Sequence, residues 1–249
     1  MRLSRASVVL FVACGVAGCP DLSGFTGGPV DDAGAPDAPV DSPAPPPADA
    51  SADAPVDAAD SAPPDFLAID TPVSDMNEVV DLSARGTLDW LELHQMGQPN
   101  RCATCMQLLQ APTSTAVLDP YTQDDRTWNW SNGAPVAMSS MSGGVYAEGV
   151  GTSIVLRTEA APSKRVLSLW LDTFNTGATI QAAIDGTSLA TQSVMLAELP
   201  NAPRYAVNVH FAAAAGHTLV VTFTETSAIP LDGDSGNIAF SAMTLAADP

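Results

Sequence analysis

From residue 153 to residue 247 the apolar side chains recur at every second position rather than every third or fourth. "RVLSLWLD" places Leu167, Leu169 and Leu171 on one face, and "YAVNVHF" does the same with Val207, Val209 and Phe211. "HTLVVTFTE" aligns Leu219, Val221 and Phe223, "TIQAAID" aligns Ile180, Ala182 and Ile184, and "TSIVLRT" aligns Ile154 and Leu156. "GNIAFSAMTL" aligns Ile238, Phe240 and Ala242 on the same rule. A period of two belongs to an extended strand with one buried face, whereas a helix would need 3.6. Turn-forming stretches separate the segments: "NTGA", "DGTS", "LPNAP", "AAAAGH" and "DGDSGN". Only "CMQLLQ" hints at a helical turn. The pattern predicts an all-β, antiparallel two-sheet sandwich with jelly-roll connectivity, a twisted barrel being the alternative.

The alternating region is preceded by a stretch of another kind. Pro20 to Asp75 contains twelve aspartates, no Lys, Arg or His, and mostly Ala and Pro, with "DAPVD" at 37–41 and again at 53–57. Such a composition cannot bury enough apolar surface to offset its ordering entropy. Aspartates repel and prolines favour extended backbone, so a stretched linker is expected over residues 19–76. It accounts for much of the net charge of −19: residues 76–249 carry 16 acids against 7 bases. The remaining domain, 77–249, is long enough for one core. It is acidic without a basic patch, which argues against nucleic acid as a partner.

Ahead of the linker, "MRLSR" and "ASVVLFVACGVAG" form a positive and then an apolar segment, the order of an export signal. The run is too short for a comfortable membrane-spanning helix, which needs ~20 apolar residues. Val16-Ala17-Gly18-Cys19 resembles the bacterial lipobox. That resemblance implies cleavage of residues 1–18, acylation of Cys19 and lipid anchoring in the cell envelope, the membrane being then one partner.

Five blocks run in a familiar order: "VDLSARGTLDWLEL" (80–93), "DDRTWNWSNGAP" (124–135), "GVYAEGVGTSIVLRT" (144–158), "RVLSLWLDTFNTGATIQAAI" (165–184) and "GNIAFSAMTLA" (236–246). Together they resemble a bacterial extracellular β-sandwich module of the galactose-binding-like type. The resemblance implies a non-catalytic accessory that binds polysaccharide or another envelope component, with a structural calcium as a recurrent feature and no other cofactor. A structural or protein-interaction domain without a small ligand is the second reading, and a hydrolase the third. The chain departs from the resemblance at "HQMGQPNRCATCMQLLQA" (94–111), which holds a CxxC.

Cys102 and Cys105 lack the βαβ setting of a redox motif, and no second CxxC completes a zinc site. In an exported chain a short disulfide is expected. Trp128 and Trp130 share one strand face and Trp90 sits in "LDWLEL", all three reading as core. Trp170 lies opposite Leu167, Leu169 and Leu171, on the face of Ser168 and Asp172. That placement puts it either on an outer sheet surface or under a loop; in the first case it is the candidate exposed platform for a sugar ring, with Asp172 and Asn175 as polar contacts. Asp232, Asp234 and Asn237 gather hard oxygens in a glycine-bent loop and are the candidate calcium ligands, with the "DPYTQDD" loop (119–125) a weaker one. His210 and His217 flank an alanine-rich loop without an evident third metal ligand, and Glu148, Glu159, Glu198 and Glu225 show no spacing of a hydrolytic pair. No GxSxG, HExxH or phosphate-binding loop occurs, so no catalytic residue is assigned.

Overall fold

The computed structural model describes residues 64–74, 78–93, 99–122, 124–199, 203–229 and 236–249; Cys19, Asp232 and Asp234 lie outside them. Two antiparallel sheets face one another. In the larger, the Arg165–Phe174 strand pairs with Arg204–Ala212 on one side and Asn237–Ala247 on the other. Gly144–Glu148 and Asp89–Glu92 both pair along Asn237–Ala247, and Asp119–Tyr121 extends the sheet beyond Gly144–Glu148. The smaller sheet runs Gln192–Leu199, Thr176–Asp185, Thr218–Ala228, Ser153–Glu159, Thr113–Ser114. From Ser153 onward the chain crosses between the sheets at every step except the Thr176–Asp185 and Gln192–Leu199 hairpin, which gives the jelly-roll interleaving.

The main core forms where the period-two pattern says it should. Leu167, Leu169 and Leu171 meet Ile154, Leu156, Ile180, Val221 and Phe223 from the facing sheet, all fully or almost fully buried. Burial of this apolar area is the main term holding the sheets together.

The sandwich has a third layer that the alternation does not announce. Ser139–Met141, Thr127–Trp130 and Val79–Asp81 form a small sheet of their own. Beside it the short helix Leu82–Arg85 starts at Asp81, whose carboxylate accepts the Ala84 N–H. Together they cover part of the outer face of the larger sheet and enclose a second core of Val80, Leu82, Trp90, Trp128, Trp130, Trp170 and Ala242, with Cys102 of the Cys102–Cys105 disulfide at its edge. The rings pair as Trp90–Trp130 at 5.5 Å and Trp128–Trp170 at 5.6 Å between centroids. Three indole N–H groups have acceptors: Trp90 on Asn132 Oδ1, Trp128 on the Gly143 carbonyl and Trp130 on the Val136 carbonyl.

Three sequence expectations change here. Trp170 does point away from Leu167, Leu169 and Leu171, but the third layer closes over it and it is 0% exposed, so it is no ligand platform. Ala242 leaves the face of Ile238 and Phe240, because the pairing of Asn237–Ala247 with Arg165–Phe174 slips by one between Trp170 and Leu171. The extra residue at this bulge reverses the alternation, so Ala242 joins the tryptophans while Met243 and Leu245 enter the main core. Finally, Phe66–Ile69 and Val73–Ser74 pair with Arg204–Ala212, so part of the expected linker 19–76 belongs to the sheet edge. "FLAI" is too short to stand out after so many aspartates.

Truncating Trp170 to Ala removes the ring between two layers and is expected to destabilise the protein by ~3–5 kcal/mol in urea unfolding. Val117→Ala, at a side chain 74% exposed, is expected to change stability by less than ~0.5 kcal/mol.

Candidate functional site

The third layer leaves the other half of the outer sheet face uncovered, and a pocket of about 380 Å³ opens there. Its construction follows from strand register. Directly opposed residues share a face, and five strands line up Asp119, Tyr146, Ala239, Asp172 and Arg204 in one row. One pleat along, Glu148, Asn237 and Phe174 form a second row. Ala239 is the small residue in the middle of the first row, so the floor is low there. Tyr146 and Asp172 stand one strand to either side of it, ~10 Å apart across the sheet. Tyr121 completes the lining together with Phe174, Arg204 and Asn237. Tyr121 lies opposite Gly144, where a Cβ would come within 2.9 Å of the tyrosine ring and 2.5 Å of the Phe240 carbonyl. Only glycine leaves room there for the ring against the sheet.

Beneath the lining is a chain of charges. Arg126, 0% exposed, donates to Asp124 Oδ2 at 2.9 Å and to Asp172 Oδ1, and its Nη2 also reaches Ser241 Oγ at 3.2 Å. Tyr121 donates its hydroxyl to Asp172 Oδ2 and lies 2.8 Å from Ser241 Oγ. Ser241 is the residue that the bulge adds, which is why a hydroxyl from a core strand is available on this face. Arg204 continues the chain, with Nε on Asp124 at 2.9 Å and Nη1 on Asp125 at 2.8 Å.

The electrostatics follow from burial set against these partners. Burial pushes Asp172 up to about 6, against the pull of Arg126. For Asp124 burial also acts upward, but the Arg126 hydrogen bonds and charge outweigh it and hold the carboxyl below its usual range. Burial works against the Arg126 cation, and Asp172 and Asp124 overcome it, so the guanidinium stays charged. Burial and then Asp172 raise the Tyr121 hydroxyl well above the usual range, which keeps it a proton donor.

Of the residues singled out in the sequence, Asp172 and Asn237 come together in this pocket. Asn175 sits in the turn after Phe174 with φ of 50°, buried, and its backbone carbonyl accepts the Ile229 N–H at 2.7 Å; it does not line the pocket. In the "DPYTQDD" loop the cations beside Asp124 and Asp125 are Arg126 and Arg204. His210 and His217 do not meet. His210 bridges Asp248 and Asp70 through its two ring nitrogens, while His217 Nδ1 contacts the Asp185 carbonyl. Among the described residues no cluster of three His, Cys, Asp or Glu is arranged to hold a metal. Glu225 is buried, and burial raises its carboxyl above the usual range. Tyr121, Tyr146, Phe174 and Arg204 were missed. For Tyr146 and Phe174 a signal existed, since each is a large ring out of phase with its strand's core residues.

No family model matches the chain, and no curated protein matches it. Among solved structures it is similar over 56% of its length to the enzymatically active domain of bacteriophage CBA120 tailspike protein 4, at 14% identity and a TM-score of 0.32, spanning only 20% of that chain. It is similar over 47% of its length to TmCBM61 in complex with beta-1,4-galactotriose, at 15% identity and a TM-score of 0.28, covering 76% of that chain. It is similar over 55% of its length to the carbohydrate-binding module CBM36 in complex with calcium and xylotriose, at 11% identity and a TM-score of 0.27, covering 100% of that chain. The meaning of the pocket has to come from its own chemistry.

Arg126→Met leaves buried Asp172 without its paired cation and Asp124 with Arg204 alone, and is expected to destabilise the protein by ~3–5 kcal/mol at neutral pH. The difference from the unsubstituted protein should narrow as pH falls, because protonation removes the stranded charge. In the unsubstituted protein the raised Asp172 binds its proton before the unfolded chain does, so its contribution to stability declines as pH rises from about 4 to about 6. Asp124, shifted the other way, contributes stability that is fully present above about 4 and is lost as pH falls further. Thermal melts of both proteins at neutral and acidic pH measure these differences.

Proposed function

We propose that this pocket binds a carbohydrate ring, and that the protein is a non-catalytic binding module held in the cell envelope by lipid on Cys19. The observation that carries the reading is the lining itself. Tyr121, Tyr146 and Phe174 surround a small floor at Ala239, with Asp172, Asn237 and Arg204 beside them. A sugar presents apolar C–H faces and a rim of hydroxyls, and this combination of rings and polar groups meets both. The volume falls within the ~300–1,000 Å³ usual for small-ligand sites. The network below holds Asp172 and Tyr121 in place before a ligand arrives, which reduces the entropy lost on binding.

The anchoring half of the reading rests on the lipobox-like Val16-Ala17-Gly18-Cys19 and on the cation-free, Pro- and Asp-rich stretch after it. Two or more acyl chains suffice for stable membrane attachment.

Isothermal titration of the full-length chain against a panel of oligosaccharides is expected to find at least one ligand. Tyr146→Ala and Phe174→Ala should each weaken that ligand about tenfold or more, or ~1.4 kcal/mol, with the melting temperature little changed. Binding unaffected by both substitutions would refute the pocket as the site. Intact mass spectrometry of protein extracted from membranes should find an N-terminus at Cys19 with acyl chains attached; an unmodified Cys19 would remove the anchor.

A further inference from the structure

A second cleft, of about 610 Å³, shares no lining residue with the pocket already described. Arg101, Gln107 and Gln110 line it, with Pro99, Leu109 and Pro135 among its apolar walls. Register explains its place. Arg101 stands directly opposite Leu91 on one side and Ala134 on the other, and Leu91 belongs to the main core. The row is an inward one, yet it holds a guanidinium where alternation calls for an apolar side chain. Leu109 bridges Thr158, and the Gln110 N–H donates to the Arg157 carbonyl at 3.0 Å, so that wall runs along the smaller sheet. The cleft opens where the edges of the two sheets part.

What sets Arg101 apart is unmet hydrogen-bonding capacity rather than net charge. A guanidinium carries five N–H donors and no acceptor. Nη2 gives one hydrogen to the Leu109 carbonyl at 2.8 Å, Nε is buried without a partner, and Nη1 has no acceptor among the described residues. Asp89 acts on Arg101 only through its charge, because its two oxygens accept the Trp90 and Leu109 N–H groups at 2.9 Å. Arg126 and Arg204, by contrast, each bond two carboxylates. Gln107 follows the Cys102–Cys105 disulfide with φ of 53°, a left-handed conformation that a residue with a side chain keeps only where its surroundings impose it.

We propose that this cleft is a second binding site, and that its ligand is a carboxylated sugar, a uronate. A planar carboxylate offers two oxygens to the unoccupied edge of the guanidinium, the pairing that such a fork favours. The Gln107 and Gln110 amides meet ring hydroxyls, and Pro99, Leu109 and Pro135 meet a C–H face. The volume is that of a small-ligand site. No aromatic ring lines the cleft, so recognition there rests on the acid, whereas the pocket on the outer face relies on its rings. The two sites stand or fall separately.

The test is titration of the full-length chain with a galacturonate trimer, its fully methyl-esterified counterpart, and acetate at equal carboxylate concentration. The acid should bind about tenfold or more tighter than the neutral ester. Arg101→Lys, which keeps the charge and loses the fork, should bring the acid down to the affinity of the ester. Gln110→Ala, at an exposed side chain, should weaken the acid with the melting temperature unchanged, and Phe174→Ala, in the other pocket, should leave it as it was. If Arg101→Lys does not fold, the acid–ester comparison and Gln110→Ala decide. Absence of binding by the acid, equal affinities for acid and ester, or an acid affinity indifferent to both substitutions in the cleft would overturn the site. Acetate binding as tightly as the trimer would overturn the sugar.

Discussion

Arg126 is a cation with no access to water, and the outer half of the molecule is arranged around it. A buried guanidinium is costly unless its charge and its donors are met. Here Asp124 answers from its own loop, Asp172 from the centre of the larger sheet and Ser241 from the bulged strand. Arg126 immediately precedes Thr127–Trp130, the middle strand of the third layer. One side chain therefore ties that layer to the sheet beneath it. The same contacts hold the two groups that border the pocket, since Tyr121 shares Asp172 and Ser241 with the arginine. Stability of the tryptophan core and geometry of the pocket are thus coupled through one charge.

The larger sheet can support all this because both of its faces are in use. In a two-sheet sandwich the outer face is ordinarily polar and wet, with the inner face alone apolar. In Arg165–Phe174 both faces are committed: Leu167, Leu169 and Leu171 turn inward, while Trp170 and then Asp172 turn outward under the third layer and into the pocket. The bulge at Ser241 reconciles the two. It keeps Phe240 and Met243 in the inner core while turning both Ser241 and Ala242 to the outer side. Without the extra residue the two outer tasks would compete for one position.

This division explains what the sequence made legible. Alternation identified the inner core strand by strand, because that core is built from long regular strands adjacent in sequence. It also gave the correct facing for Trp128, Trp130 and Trp170. It did not give the exposure of Trp170, because the cover comes from segments of three or four residues at 79–81, 127–130 and 139–141, one of them paired in parallel. Such short pieces carry no readable period. Ala242 went to the wrong face because a bulge leaves no mark in an apolar run. The pocket was only partly visible for a similar reason. Each strand contributes one or two residues to it, and what unites Asp119, Tyr146, Ala239, Asp172 and Arg204 is register, which depends on the tertiary pairing of five strands. Asp172 was found because it stood beside a tryptophan on the polar face.

Register also sets where the pocket sits along the strands. Phe66, which follows the acidic stretch, pairs with Ala212, and Arg165 pairs with Ala247 near the C-terminal end. Arg204, at the opposite end of the Arg204–Ala212 strand, pairs with Asp172 in the pocket. Eight steps of ~3.4 Å separate these ends, or ~27 Å. The described chain therefore enters and leaves at one end of the sheet, and the pocket lies at the other. The His210 bridge to Asp70 and Asp248 lies at the Phe66 end, fastening that edge strand and the C-terminal segment to the same sheet. Both are thus held about a strand's length from the residues that line the pocket.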